Sequence, residues 1–319
     1  VADVHHFSYG LLTPGVAYVL SVLGSLLGLT CTARARAAQS GGERAWWLLL
    51  AAWAIGGTGI WSMHFMAMLG FTVPGARIRY DVPLTAASAV TAIVVVGIGL
   101  FIAGSGRRGG ARIVLGGLFT GVGVAAMHYT GMFAMRVDGK VSYDPGLVAA
   151  SVVIAVVAAT VALWFTVTLS NRIVIFGAAL VMGVAVCGMH YTGMASMSVT
   201  LAEHTDTITG ATALSLLVPI GLSVLIVIGL LLFAIGVGPT DEDSAARAYL
   251  AKLQAEREAA QSAAATNAST SRRQGPAMFQ RSASRSNSSG SLGDKGSPTS
   301  SFGSDTSTAT RTTSDATFK

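Results

Sequence analysis

The sequence predicts an all-α membrane protein: seven transmembrane helices, built as a threefold repeat of two-helix units, plus a disordered cytoplasmic tail. Three observations carry that expectation. Of the 319 residues 52% are hydrophobic and 11% are charged, with a mean hydropathy of +0.60, whereas a soluble domain carries about 25% charged residues. The charges are bunched, so that residues 10–33, 45–76, 82–106, 113–135, 145–171, 173–202 and 207–238 hold no Asp, Glu, Lys or Arg. Each stretch meets the roughly 20 apolar residues that a bilayer span needs. The third observation is a Met-His motif that recurs twice at nearly equal intervals.

In chain order, helices are expected over 10–33, 46–70, 82–103, 113–135, 146–169, 173–198 and 212–237. Runs this long and uniformly apolar lack the alternation of barrel strands. Short connections at 105–110 and 170–172 favour antiparallel packing of sequence neighbours, and Gly117 with Gly121 forms a small-xxx-small ridge for close helix approach. The first run is expected to remain as a span although Ala35-Arg36-Ala37 resembles a cleavage site. Residues 1–9 lack Lys and Arg and the positive charges follow the apolar run, the reverse of a secretory leader. Cys31 and Cys187 fall near the inner end of span one and in the outer half of span six, so no disulfide is expected.

Residues 1–238 thus read as the membrane domain and 239–262 as a juxtamembrane helical segment, with Ala245, Ala246, Leu250, Leu253, Ala259 and Ala260 supporting helix. Residues 263–319 form a Ser/Thr-rich tail with too little apolar surface to offset the entropy of ordering. The net charge of +6 is a topology signal rather than a nucleic-acid footprint. Arg34, Arg36, Arg44, Arg107, Arg108, Arg112 and Arg172 flank one side of the spans, against Arg77, Arg79, Arg136 and Lys140 on the other. Arg247, Lys252 and Arg257 make the bias ten against four. The positive-inside rule puts the N-terminus outside and the C-terminus in the cytoplasm of a multi-pass cell-membrane protein.

The repeat carries the chemistry. Residues 59–68 (Gly-Ile-Trp-Ser-Met-His-Phe-Met-Ala-Met), 123–132 (Gly-Val-Ala-Ala-Met-His-Tyr-Thr-Gly-Met) and 185–194 (Ala-Val-Cys-Gly-Met-His-Tyr-Thr-Gly-Met) align, with His64, His128 and His190 at intervals of 64 and 62. The motif falls on spans two, four and six. Nine of the 11 methionines lie in or just after these motifs, and His5, His6 and His204 are placed on the same outer side. At about 100° per residue, offsets of +4 and +7 share a helical stripe. His64 with Met68, His128 with Met132 and His190 with Met194 can therefore approach one ion. Met135 and Met197, at +7, would serve a second, outer metal position; Phe71 holds that place in the first repeat.

Imidazole with thioether selects copper, Cu(I) above all, over hard cations, and the predicted spans contain no Asp or Glu for a magnesium, calcium or di-iron site. Polar groups in spans are costly and tend to be functional, and their triplication favours metal binding over packing filler. Phe65, Tyr129 and Tyr191 sit about 100° from the ligand stripe and are expected to pack or hydrogen-bond beside it. Met63, Met127 and Met189, on the other flank, read as core or as part of an adjacent site. Cys187 has no sulfur counterpart in the other repeats and is a minor candidate.

Met-His-Tyr-Thr at 127–130 and 189–192, with the variant Met-His-Phe-Met at 63–66, resembles the MHYT family of bacterial integral-membrane sensors over about residues 7–237. The resemblance implies sensing of oxygen, carbon monoxide or nitric oxide through bound copper, often linked to cyclic-dinucleotide or histidine-kinase output. No catalytic domain follows span seven in this sequence, so ligand binding rather than enzymatic activity is what carries over, with an unidentified cytoplasmic signalling partner. Copper transport or storage is the main alternative, and a haem protein with paired histidines is another. A retinal photoreceptor lacks its Schiff-base Lys, since 212–237 contain none. An intramembrane hydrolase lacks a recognisable nucleophile with its base.

A reporter fused after residue 260 is expected to be active only on the cytoplasmic side; activity outside would invert the placement of every candidate ligand.

Overall fold

The computed structural model describes residues 8–104, 109–201, 208–237 and 241–274. Seven helices are long and apolar enough to cross a membrane. They are α1 (Leu12–Ala37), α2 (Gly41–Met68), α3 (Val82–Gly104), α4 (Gly110–Ala134), α5 (Pro145–Thr168), α6 (Arg172–Ala195) and α7 (Ala213–Val237). An eighth, α8 (Asp241–Gln274), follows them.

The helix starts have local causes. Ser40 Oγ accepts from Glu43 N while the Glu43 carboxylate accepts from Gln39 N, an arrangement close to a capping box, and α2 accordingly begins at Gly41 rather than at the expected 46. Asp81, Asp144 and Asn171 cap α3, α5 and α6 by accepting from Leu84 N, Leu147 N and both Ile173 N and Val174 N. Within α2 the stretch Trp53–Ser62 is π-helical. π-turns of this kind cluster at functional sites, and this one ends directly before Met63 and His64.

The first six spans close a ring. α1 packs on α2 and α6, and each remaining helix packs on the next from α2 to α6. Glycine makes the close approaches: a Cβ on Gly24 would stand 2.3 Å from Gly59 N, and one on Gly121 would stand 2.4 Å from Val156 Cα. The Gly117/Gly121 ridge therefore seats α4 on α5, as its spacing suggested. α7 lies outside the ring against α2, with only Leu216 and Leu231 buried. Large apolar side chains such as Leu118, Phe119, Val153, Val157, Phe176 and Phe233 point outward, as lipid-facing surfaces require.

Each end of the ring is closed differently. At the end where α1 finishes, Arg34, Arg36 and Arg44 reach helix C-terminal carbonyls. Arg34 donates to Ile235 O on α7 (2.6 Å), Arg36 to Thr166 O and Leu169 O at the end of α5, and Arg44 to Gly104 O at the end of α3. These bonds satisfy orphan carbonyls and place positive charge at the negative pole of each helix dipole.

At the other end, the connections that follow the three motif helices pair as short strands. β1 (Ile78–Tyr80) pairs antiparallel with β2 (Met135–Val137), and β3 (Gly139–Tyr143) with β4 (Met197–Leu201). A bridge from Tyr80 to Ala211 also ties the connection after α6 to the one after α2. Arg136 pairs with Asp81 across this cap.

These strands correct the expected helix ends at 135 and 198. α4 stops at Ala134 and α6 at Ala195, so Met135 and Met197 open β2 and β4 opposite Tyr80 and Tyr143. Their backbones are committed to ladders, and the +7 helical offset does not place them. By contact the chain forms two units, residues 1–246 and 247–319. α8 itself is polar, with an i,i+4 pair between Lys252 and Glu256 at 4.0 Å, and it runs past the expected end at 262 to Gln274. Ala263, Ala264 and Ala265 are strong helix formers that prolong it without any large apolar side chain. The expected disorder over 275–319 lies outside the described residues, as do His5, His6 and His204.

Candidate metal centre

Each motif ends an alternate helix of the ring, so the closure of six spans brings three histidines from α2, α4 and α6 to one point. His64 is 2% exposed, and His128 and His190 are fully buried. His64 Nδ1 lies 3.1 Å from His128 Nδ1 and 3.1 Å from His190 Nδ1. The ring centroids form a nearly equilateral triangle with sides of 4.9, 5.1 and 5.1 Å, each pair of rings meeting edge to face. This is a local pseudo-threefold arrangement, the spatial form of the sequence repeat.

The outward nitrogens explain why the motif ends as it does. A Cβ on Gly131 would stand 2.2 Å from His64 Nε2, and one on Gly193 would stand 2.3 Å from His128 Nε2. Two of the three imidazoles, His64 and His128, are thus seated on the glycine three residues after the histidine of the next repeat. The corresponding residue of the first repeat is Ala67. Neither His64 Nε2 nor His128 Nε2 has a hydrogen-bond partner, which in a buried site costs about 1–3 kcal/mol per group. The polar capacity of these rings is directed inward, at one another.

The six expected ligands separate into two layers. The histidines form the triad, and Met68, Met132 and Met194, one turn beyond them, are 1–2% exposed in a shared apolar cluster at the strand-capped end. Met135 and Met197 belong to the same cluster from their strand positions. Met63, Met127 and Met189 are also buried but lie in other clusters: Met63 beside Ala17 and Ala67, Met127 and Met189 in the main ring core. Cys187 packs at the edge of the Met63 cluster, and both cysteines are free thiols.

The aromatic residues flank the triad, as their helical offset implied. Tyr129 shares a 2.7 Å hydrogen bond with Ser151 on α5 and meets the His128 ring at 5.0 Å, and Tyr191 meets the His190 ring at 5.0 Å. Phe65 stacks on Trp61. Tyr80, from β1, completes the lid over Phe65 and donates to Met68 O at 3.5 Å; burial pushes its phenol well above the ordinary range. Sequence reasoning missed Tyr80, Gly131 and Gly193. Only the recurrence of Gly at +3 pointed to the two glycines.

The geometry can be compared with known proteins. The MHYT model, described as a bacterial signalling protein N-terminal repeat, matches residues 57–116, 121–179 and 183–250. The chain belongs to the MHYT family. It is 41% identical over 194 residues to MucR of Pseudomonas aeruginosa, a bifunctional diguanylate cyclase/cyclic di-GMP phosphodiesterase, covering 59% of this chain and 28% of that protein. It is 37% identical over 165 residues to the cyclic di-GMP phosphodiesterase NbdA of the same organism (50% and 21%), and 33% identical over 157 residues to the signalling protein YkoW of Bacillus subtilis (44% and 19%). The alignments span less than a third of each relative and fall on the MHYT sensor region. No solved structure matches. This MHYT chain is therefore a multi-pass membrane protein of a signalling sensor family.

Gly131→Ala and Gly193→Ala are each expected to lower stability by about 1–3 kcal/mol, the usual range for overpacking, and to shift the imidazole 15N resonances of histidine-labelled protein in detergent. Unchanged imidazole resonances would show that these glycines do not set the rings.

Proposed function

We propose that this MHYT chain is a membrane signalling sensor that holds copper at His64, His128 and His190, with the thioethers of Met68, Met132 and Met194 beside them, and that it senses a diatomic gas or redox state. The observation that carries the proposal is the convergence of three Nδ1 atoms in an apolar interior. A neutral imidazole has one lone pair and one N–H. Without an ion, one Nδ1 of a close pair can donate to the other at 3.1 Å; with the protons on Nε2, the Nδ1 lone pairs are instead free for a cation.

The spacing fits such an ion. Metal–nitrogen bonds of about 2.0–2.1 Å set nitrogens roughly 3.3–3.6 Å apart in trigonal or tetrahedral coordination, close to the 3.1 Å separations present. Softness argues for copper, since imidazole and thioether are the donors at hand and no carboxylate joins the cluster among the described residues. Met135 and Met197 extend the soft surface outward as a second metal position. Haem fits poorly: imidazole centroids 4.9–5.1 Å apart leave no room for a macrocycle between them.

Copper, when bound, would supply a redox couple and a coordination position for a diatomic ligand. The chain's own residues hold the site and keep water out. The strands and Tyr80 cover it, the glycine contacts fix ring orientation, and the π-helical turn of α2 brings His64 to the level of the other two. The charge bias supports an outer location for this end of the bundle, opposite the end capped by Arg34, Arg36 and Arg44. A signal leaves only through different affinity for two helix arrangements, and residues 239–262, which follow the last span, are the segment proposed to engage a cytoplasmic partner.

Purified wild-type protein is expected to contain copper, and replacement of all three histidines by Ala to remove it, as measured by elemental analysis with the helical circular dichroism retained. A triple variant with wild-type copper, or a wild type that carries only haem, overturns the metal assignment. Deletion of residues 239–319 is expected to preserve copper loading and abolish the cellular response; an intact response would favour copper transport or storage.

A further inference from the structure

The interior of the ring is not filled throughout. One helical turn from the triad, on the side away from the strands, lies a cavity of about 60 Å³ lined by residues of all six ring helices. Its position repeats with the motif. Ile60, Val124 and Val186 line it, and each stands four residues before His64, His128 or His190, about 6 Å along its helix axis. Small side chains of α5, Ala155, Ala159 and Ala162 among them, leave the space on one flank.

The lining is apolar apart from the hydroxyls of Ser25, Thr120 and Thr166, of which Thr166 donates to Leu163 O at 2.7 Å and Thr120 to Val95 O at 3.5 Å, leaving Ser25 as a single polar group for any guest. Ordered water needs two to four polar partners, whereas apolar cavities stay dry and take apolar guests such as xenon. A void of this kind also forfeits packing contacts. In a six-helix ring closed elsewhere by backbone-to-backbone glycine contacts, the space is a local departure from tight packing, and it lies one helical turn from the only histidine cluster among the described residues.

We propose that this cavity is a binding site for a small apolar molecule, of the size and polarity shared by oxygen, carbon monoxide and nitric oxide, and that it holds the molecule one turn from the imidazoles. The ligand class rests on the sensor reading above; the cavity's ability to hold an apolar guest does not. Dissolved gases of this class partition into hydrocarbon in preference to water, and the ring presents its cavity within the membrane-spanning part of the chain, where such a guest is most concentrated. The triad's inward Nδ1 face and the cavity are then successive stations of one site, the second requiring no polar recognition.

Xenon is the probe, applied under pressure to crystals of the full chain, or as dissolved xenon by 129Xe resonance in detergent, with copper-free protein. One xenon is expected in the cavity of the wild type. Filling the space by Ala159→Leu or Ala162→Leu is expected to abolish it, whereas Val157→Leu, on the lipid-facing side of the same helix, should leave it unchanged. Absence of xenon from the wild type overturns the proposal by itself, whatever the variants do. So does xenon retained in both filled variants, or ordered water in its place. Because copper is left out, failure here is separable from failure of the metal assignment.

Discussion

Three imidazoles buried against one another in hydrocarbon impose the central constraint on this molecule. His64 Nε2 and His128 Nε2 have no hydrogen-bond partner among the described residues, so these rings direct their polar capacity into the cluster or to something the cluster binds. Rings whose Nδ1 atoms lie 3.1 Å apart can be held so only if their backs are supported, and Gly131 and Gly193 provide that support by letting the neighbouring helix backbone come up to Nε2. The same requirement accounts for the alternation of motif helices around the ring. With His64, His128 and His190 on every second span, the His64 and His128 imidazoles each lean on the next repeat.

The two ends of the ring answer different problems. Where α3, α5 and α7 finish, helix carbonyls lack partners, and arginines anchored on α1 and α2 supply them while keeping their charge near the membrane boundary. Where the motif helices finish, the connections bond to one another through β1–β2 and β3–β4, above the buried methionines. One end is therefore held by side-chain charge and the other by main-chain hydrogen bonds. α7 takes little part in either and touches the ring mainly along the π-helical face of α2, the element that also carries His64.

In this frame the layers of the site have distinct jobs. The imidazoles offer nitrogen donors in a fixed triangle, the methionines at +4 offer soft, adaptable sulfur beyond them, and the apolar space at −4 offers volume without polarity. Relatives in which the same region accompanies cyclic di-GMP enzymes are much longer proteins. The likeness is confined to the membrane part, which is where the triad, the methionines and the cavity all lie.

Charge distribution along the chain was sufficient to locate the seven spans, because removing Asp, Glu, Lys and Arg from about 20 consecutive positions is a requirement of the bilayer and not of any particular neighbour. The repeat was sufficient to single out His64, His128, His190 and the methionines at +4, since helical offset is a local property. What depended on partners distant in sequence could not be read that way. The pairing of Tyr80 with Met135 and of Tyr143 with Met197 ended α4 and α6 early and took two expected helical ligands into strands. The seating of His64 on Gly131, the arginine caps on remote helix ends, the π-turn of α2 and the cavity beneath Ile60, Val124 and Val186 all arise only when six helices close into a ring. Span and motif follow from short-range chemistry, whereas which nitrogen faces which is settled by the backbone contacts that ring closure creates.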